Sequence, residues 1–362
     1  MDQSATRPRL ALLLVLVWTV GLYASVWTAS FAYEDAAWMA TVDMGGPTNF
    51  PLPGRSLTAQ TYTWQAAITG LDPRWMHAGN LALHLLNGGM VYAIGAGLIG
   101  PAAGVLGAGI FLIHPLNSQA VSYLTARTDL LMTTWVLLAV WAALSLTWAR
   151  ALVAVGALVA AAMSKELGMV GVLLVLLTLI IWRPTTRWQA PALIPVWIVC
   201  GLALGVLYPR LEAWWTMAPL SGGSDWLTFL TLQTTACWRL LLLVVWPVGF
   251  TLDHDMVVLA DRWRAVAVLM TGFALSLIPI AWDKQARMLT WALAWIALGL
   301  APRFLVPTTE LVSEHHLYLP MVGISLGIGT AALGIWRWVT ADADYWRLCR
   351  AEWRAHDLTQ GA

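Results

Sequence analysis

The sequence predicts an all-α, polytopic membrane protein, and three observations carry that expectation. Apolar runs of about 20 residues, the length that crosses a bilayer as a helix, recur along most of the 362 residues. Only 11% of residues are charged and 59% are hydrophobic, with mean hydropathy +0.70, against about 25% charged in a soluble domain. The 24 tryptophans suit membrane interfaces, where an indole lies half in hydrocarbon and half among headgroups. A net charge of +1 argues against nucleic acid as a partner. Cys200, Cys237 and Cys349 have no paired spacing, so buried thiols are expected and no disulfide or zinc framework.

Taken in order, the first run is "TRPRLALLLVLVWTVGLYASVW". It is longer than the apolar part of a signal peptide and reads as a retained helix with Arg7 and Arg9 in the cytoplasm. Candidate spans follow near 10–31, 77–98, 101–121, 129–148, 151–164, 167–182, 190–208, 229–250, 264–282, 288–302 and 317–338, giving 10 or 11 crossings. Cationic stretches at Arg150, 183–187, 284–287 and 337–350 belong on the cytoplasmic side. The parity fails around 229–263, where a re-entrant or tilted pair of helices is expected. Residues 32–76 form a long first outer loop, longer than ordinary connections and therefore a functional segment. Residues 1–340 are expected to be one membrane domain and 341–362 a short amphipathic cytoplasmic tail.

The polar residues fall at one set of helix ends: Glu34 and Asp35, Arg55, His77, Asn80 and His84, His114 and Asn117, Arg127 and Asp129, Lys165 and Glu166, Asp253 to Asp255, Arg303, and Glu314 to His316. Ionisable groups at membrane depth are costly and usually face a cavity or a partner. His77, Asn80, His84 and Asn87 recur at i, i+3, i+7 and i+10, one stripe of a helix. That stripe reads either as helix–helix hydrogen bonding or as part of a site. In "YLTARTDLL" a helix starts near Thr128, with Thr125 or Thr128 as cap and Asp129 in the first turn. Arg127 at a helix N-terminus calls for an anion close by, and a phosphate meets that need. Lys165 and Glu166 are either an ion pair at the membrane or a lysine reaching an anionic group. Glu34 and Asp35 stand as loop solvation, a cation site or acid/base groups.

The stretches "YEDAAW", "GRSLTAQTYTWQAAITGLDPRWMHAGNLALHLLNG", "FLIHPLNSQAVSYLTARTDLLMTTWVLLAV", "MSKELGM" and "SEHHLYLPMVG" resemble, in this order, the membrane region of the transmembrane O-mannosyltransferases that carry tetratricopeptide repeats. Those are polytopic glycosyltransferases of the GT-C class, and the resemblance runs from residue 30 to about 330. It implies a GT-C-type bundle and inverting transfer of a mannose-like sugar from a polyprenyl-phosphate carrier to an acceptor hydroxyl. By the resemblance, Asp35, with Glu34 as the less favoured choice, is the general base. Arg127, Lys165, Arg303, His315, His316, Glu314, Arg55, His84 and His114 would bind the donor phosphate or sugar. Metal use varies within the class, so no ion is assigned, and Mg or Mn at Glu34/Asp35 stays open. The partners implied are the lipid-linked donor, a protein or glycan acceptor and membrane lipid, with the chemistry on the periplasmic face of a bacterial inner membrane.

This chain departs from the family pattern in three places. Ser56 follows Arg55 where the family has Pro. His315 replaces an Arg, so phosphate binding would rest on imidazolium and activity would fall above about pH 6.5. After one further span the family continues into its repeat domain where this sequence has an amphipathic stretch, which weakens the expectation of a protein acceptor. A transporter or flippase for a lipid-linked or small polar substrate is the alternative, though transporters place charge near the midplane and repeat their halves.

Overall fold

The computed structural model describes residues 3–32, 34–43, 55–145, 147–182, 226–251, 284–305 and 313–360. Among these residues every regular element is helical. The helices are α1 (Gln3–Leu22), α2 (Asp35–Asp43), α3 (Ser56–Thr69), α4 (Pro73–Leu98), α5 (Pro101–Ile113), α6 (Ser118–Ser122) and α7 (Arg127–Ala143). They continue as α8 (Trp148–Ser164), α9 (Val170–Trp182), α10 (Trp226–Val245), α11 (Lys284–Leu300), α12 (Pro302–Leu305) and α13 (Pro320–Gln360). Single 3-10 turns fill several of the connections.

Three helices among the described residues are long and apolar enough to cross a membrane: Thr6–Thr28, Pro73–Leu98 and Pro320–Ala341. Four more apolar helices, Pro101–Ile113, Trp148–Ser164, Glu166–Trp182 and Phe229–Val245, are shorter. A helix rises about 1.5 Å per residue, so 17 residues reach about 26 Å, just under the hydrocarbon thickness. The expected spans at 190–208 and 264–282 lie outside the described residues, as do residues 209–225 of the expected outer loop, the polar group Asp253 to Asp255 and the rest of 252–263. Residues 226–228 already belong to α10. Helix α10 ends at Val245, directly before Trp246-Pro247, where proline removes a backbone donor.

The first outer segment differs from the expected loop, because α2 and α3 lie within 32–76. Six of the eight glycines and prolines that suggested a loop fall in 44–54, outside the described residues, and the other two, Gly70 and Pro73, lie at the junction of α3 and α4. The stretch "SLTAQTYTWQAAIT" contains neither and winds into α3. Gly70 at φ +69° ends α3, Asp72 caps α4 by accepting from the Arg74 N–H at 2.9 Å, and Pro73 starts the helix.

Helix α7 is the hub. It packs on α4, α8 and α9, while α5 lies between α4 and α13, and α11 between α9 and α13. Its side chains are buried around almost the whole circumference, from Leu130 to Ala143. Glycines allow the closest crossing: the α-carbon hydrogen of Gly104 faces the Tyr92 and Ala96 backbone of α4. Trp291 and Trp295 are fully buried, their indole N–H groups donating to Thr178 and to the Leu319 carbonyl, both at 2.9 Å. Other tryptophans, such as Trp18 and Trp148, are exposed on the outer surface. Leu10, Leu13, Leu14 and Val17 of α1 are likewise exposed, an apolar exterior that suits lipid.

Candidate functional site

Short connections reverse the chain at each turn, so one end of the bundle collects many termini. These are the N-termini of α3, α4, α7, α9 and α13 and the C-termini of α5, α8 and α11. Most of the polar residues predicted at helix ends are brought together there in two groups, one around Asp35 and Arg127 and one around Asp129 and Lys165.

The first group centres on Asp35, which is fully buried. Its Oδ1 accepts from the Thr125 backbone N–H at 3.0 Å and the Thr125 hydroxyl at 2.9 Å, and its Oδ2 from the Ala32 N–H at 3.2 Å. Glu34, next to it, is exposed. The two carboxylates therefore occupy different environments. An ion shared between them would compete with the N–H and O–H donors around Asp35. Among the described residues no group of three His, Cys, Asp or Glu side chains has the closeness of a metal site.

Arg127 completes this group, and its guanidinium is turned into the protein. Its Nε donates to Asn80 Oδ1 at 2.8 Å and an Nη to the Met76 carbonyl at 2.7 Å, and it lies 4.2 Å above the Tyr62 ring. The Tyr62 hydroxyl donates to the Leu124 carbonyl at 2.6 Å, which also receives the Asn80 amide at 3.4 Å. The 123–127 turn is thus tied to α2, α3 and α4 by side chains that satisfy its backbone groups. An anion is not needed to explain this buried cation, because carbonyl oxygens and an aromatic face already surround it.

The second group is richer in cations. Lys165 Nζ donates to both Asp129 oxygens at 2.7 Å, with both side chains buried. His315 Nε2 lies 3.9 Å from Asp129 Oδ2. Its Nδ1 is 2.6 Å from the Ser313 hydroxyl, and its backbone N–H donates to Gln119 at 2.7 Å. Arg55, at the start of α3, pairs with Glu166 at 3.3 Å across a partly exposed surface. Arg303 meets His316 Nδ1, and Glu314 accepts from the Thr251 N–H at 3.0 Å. Thr58 anchors α3 to the Ser164 carbonyl at 2.9 Å, beside Lys165. Burial holds the His315 imidazole down to about 4, although Asp129 opposes the shift. A neutral ring at pH 7 differs from the imidazolium expected from the sequence.

His84 and His114 are tied up elsewhere. His84 is fully buried, with Nδ1 2.8 Å from the Tyr318 hydroxyl and Nε2 3.1 Å from the Leu112 carbonyl. It packs on Tyr23 and Phe111 as a core histidine joining α4, α5 and the start of α13. His114 Nε2 meets the Val244 carbonyl at 3.1 Å and fixes the end of α10 to the end of α5. Cys237 is buried and free. Tyr62 and Gln119 do not stand out in the sequence, and Thr125 and Asp129 have the positions of capping residues. Spacing carries no signal for any of these, because each partner lies far away in the chain.

No protein-family model, curated protein or solved structure matches this chain.

Proposed function

We propose that the chain is a polytopic membrane glycosyltransferase that moves a mannose-like sugar from a polyprenyl-phosphate carrier to an acceptor hydroxyl, inverting the anomeric carbon. The resemblance to the repeat-bearing O-mannosyltransferases motivates the reading. One observation carries it further: a buried, fixed carboxylate, Asp35, and the cations Lys165, Arg55 and Arg303 stand at the same end of the bundle. Inverting transfer needs a base on the acceptor side and positive charge where the phosphate leaves.

In this scheme Asp35 takes the proton of the acceptor hydroxyl. The oxygen then bonds to the anomeric carbon as its bond to phosphate oxygen breaks, and polyprenyl phosphate leaves with the bonding pair. Thr125 fixes Asp35, and Glu34, exposed beside it, orients the acceptor. The cationic cluster stabilises the charge gained by the leaving phosphate. Placement of this end on the periplasmic face, and a bundle of 10 or 11 crossings, belong to the same proposal. The test is Asp35→Asn, beside Glu34→Gln, in purified protein given polyprenyl-phosphate sugars and an alcohol acceptor. Asp35→Asn should cut transfer by about a thousandfold while keeping the Thr125 contact. Full transfer by Asp35→Asn would remove the assigned base, and no transfer by the unaltered protein from any such donor would remove the reading.

A further inference from the structure

Asp129 lies in the first turn of α7, where a carboxylate ordinarily serves the helix end, yet it caps nothing. The helix has no side-chain cap, and among the described residues the hydrogen bonds to Asp129 come from side chains alone. Lys165 approaches both oxygens at 2.7 Å, and the Thr128 hydroxyl lies at 3.4 Å. His315 stands at 3.9 Å. Three segments far apart in the chain (α7, the end of α8 and the turn at 314–317) therefore meet on one buried carboxylate. A buried ion pair contributes little to net stability, because desolvation offsets the attraction, so its worth has to be sought in orientation.

We propose that Asp129 is a positioning residue of the phosphate site, which clamps the Lys165 ammonium with both oxygens and sets how much of its charge a lipid phosphate meets. The inference rests on the transferase reading for its ligand, a polyprenyl phosphate. Two of the three Lys165 N–H groups are taken by Asp129, which leaves the third for a phosphate oxygen. The charges explain why a clamped cation suits the reaction. The sugar donor is a phosphodiester with one negative charge, whereas the released polyprenyl phosphate is a monoester that carries up to two. An uncompensated buried lysine would hold the product more tightly than the donor and slow its release. Paired with Asp129, the lysine still offers a directed N–H but little net charge.

The measurement is binding of undecaprenyl phosphate, without sugar, to the purified full chain in detergent, together with kcat and KM for transfer. Asp129→Asn should bind this lipid at least about tenfold more tightly than the unaltered chain, since it leaves one uncompensated unit charge in a buried site. Its kcat should fall while KM stays level or drops. Adding Lys165→Met should abolish the tighter binding. A folded Asp129→Asn that binds the lipid as the unaltered chain does, or more weakly, overturns the clamp. Where Asp129→Asn does not fold, Asp129→Glu carries the test. A displaced carboxylate should lower kcat at constant KM, and a raised KM at constant kcat overturns the proposal. The binding arm needs no sugar transfer. Tighter lipid binding in a protein that transfers nothing would end the transferase reading and leave the clamp standing.

Discussion

Arg127 offers the sharpest separation between a residue that binds substrate and one that holds the fold. Its guanidinium makes two charge-assisted hydrogen bonds, to Asn80 at 2.8 Å and to Met76 at 2.7 Å, and stacks on Tyr62 at 4.2 Å. Hydrogen bonds from a charged donor contribute about 1.5–3 kcal/mol each, and a desolvated cation–aromatic contact about 2 kcal/mol. Arg127→Met keeps the apolar stem but leaves the Asn80 and Met76 oxygens buried without a donor. A loss of about 3–5 kcal/mol follows once the removed charge's own desolvation is set against those contacts. That is a large share of the 5–15 kcal/mol that holds a typical domain. Arg127→Lys keeps the charge but cannot reach both oxygens at once, so roughly half the loss is expected. Unfolding in detergent, followed through the fluorescence of the 24 tryptophans, reports both variants. If both unfold with the unaltered chain while binding of polyprenyl phosphate disappears, Arg127 contacts the donor and the structural account is wrong.

Two further outcomes follow from the geometry. His315 titrates near 4 in the folded chain because it is buried and near 6.5 when unfolded, so the unfolded state takes the proton first as pH falls. Its contribution is constant above about pH 6.5 and turns unfavourable between 6.5 and 4, by up to about 3 kcal/mol at 1.36 per unit. Unfolding midpoints should therefore drop from pH 7.5 to pH 5, and His315→Gln should flatten that drop; equal slopes in the two proteins would refute it. A methyl group at Gly104 would stand 2.8 Å from the Tyr92 oxygen and the Ala96 nitrogen of α4. Gly104→Ala should cost about 1–3 kcal/mol by forcing α4 and α5 apart, seen as a lower thermal midpoint. Gly156→Ala, with nothing within 4 Å of the added carbon, should instead be neutral or stabilising by up to about 1 kcal/mol.

Some of this was legible before any fold was known. The apolar runs at 101–121 and 167–182 contain α5 and α9, and those at 77–98 and 151–164 cover all but the first turn of α4 and α8, because an apolar stretch satisfies its backbone polar groups within its own helix. The stripe of His77, Asn80, His84 and Asn87 faces inward, as its spacing requires, and all four are buried. Charge at one set of helix ends was also visible, since antiparallel neighbouring helices bring alternate ends together. Residues 32–76 were misread as a loop because the breakers in 44–54 coloured the whole segment.

The sequence alone determined that this chain is a set of apolar helices with one group of ionisable residues at the turns of one end, since composition and period fix helix, length and inward face. Only the tertiary structure decided which of those groups meet. Arg127 reaches Met76, Asn80 and Tyr62, which lie 47 to 65 positions away in the chain, Lys165 reaches Asp129 across 36 positions, and His84 meets Tyr318 across 234. Such pairings depend on how helices pack around α7, through contacts summed over many residues, and no local pattern encodes them. For that reason an aspartate with the position of a helix cap turned out to hold a lysine, and an arginine with the position of an anion ligand turned out to hold a turn.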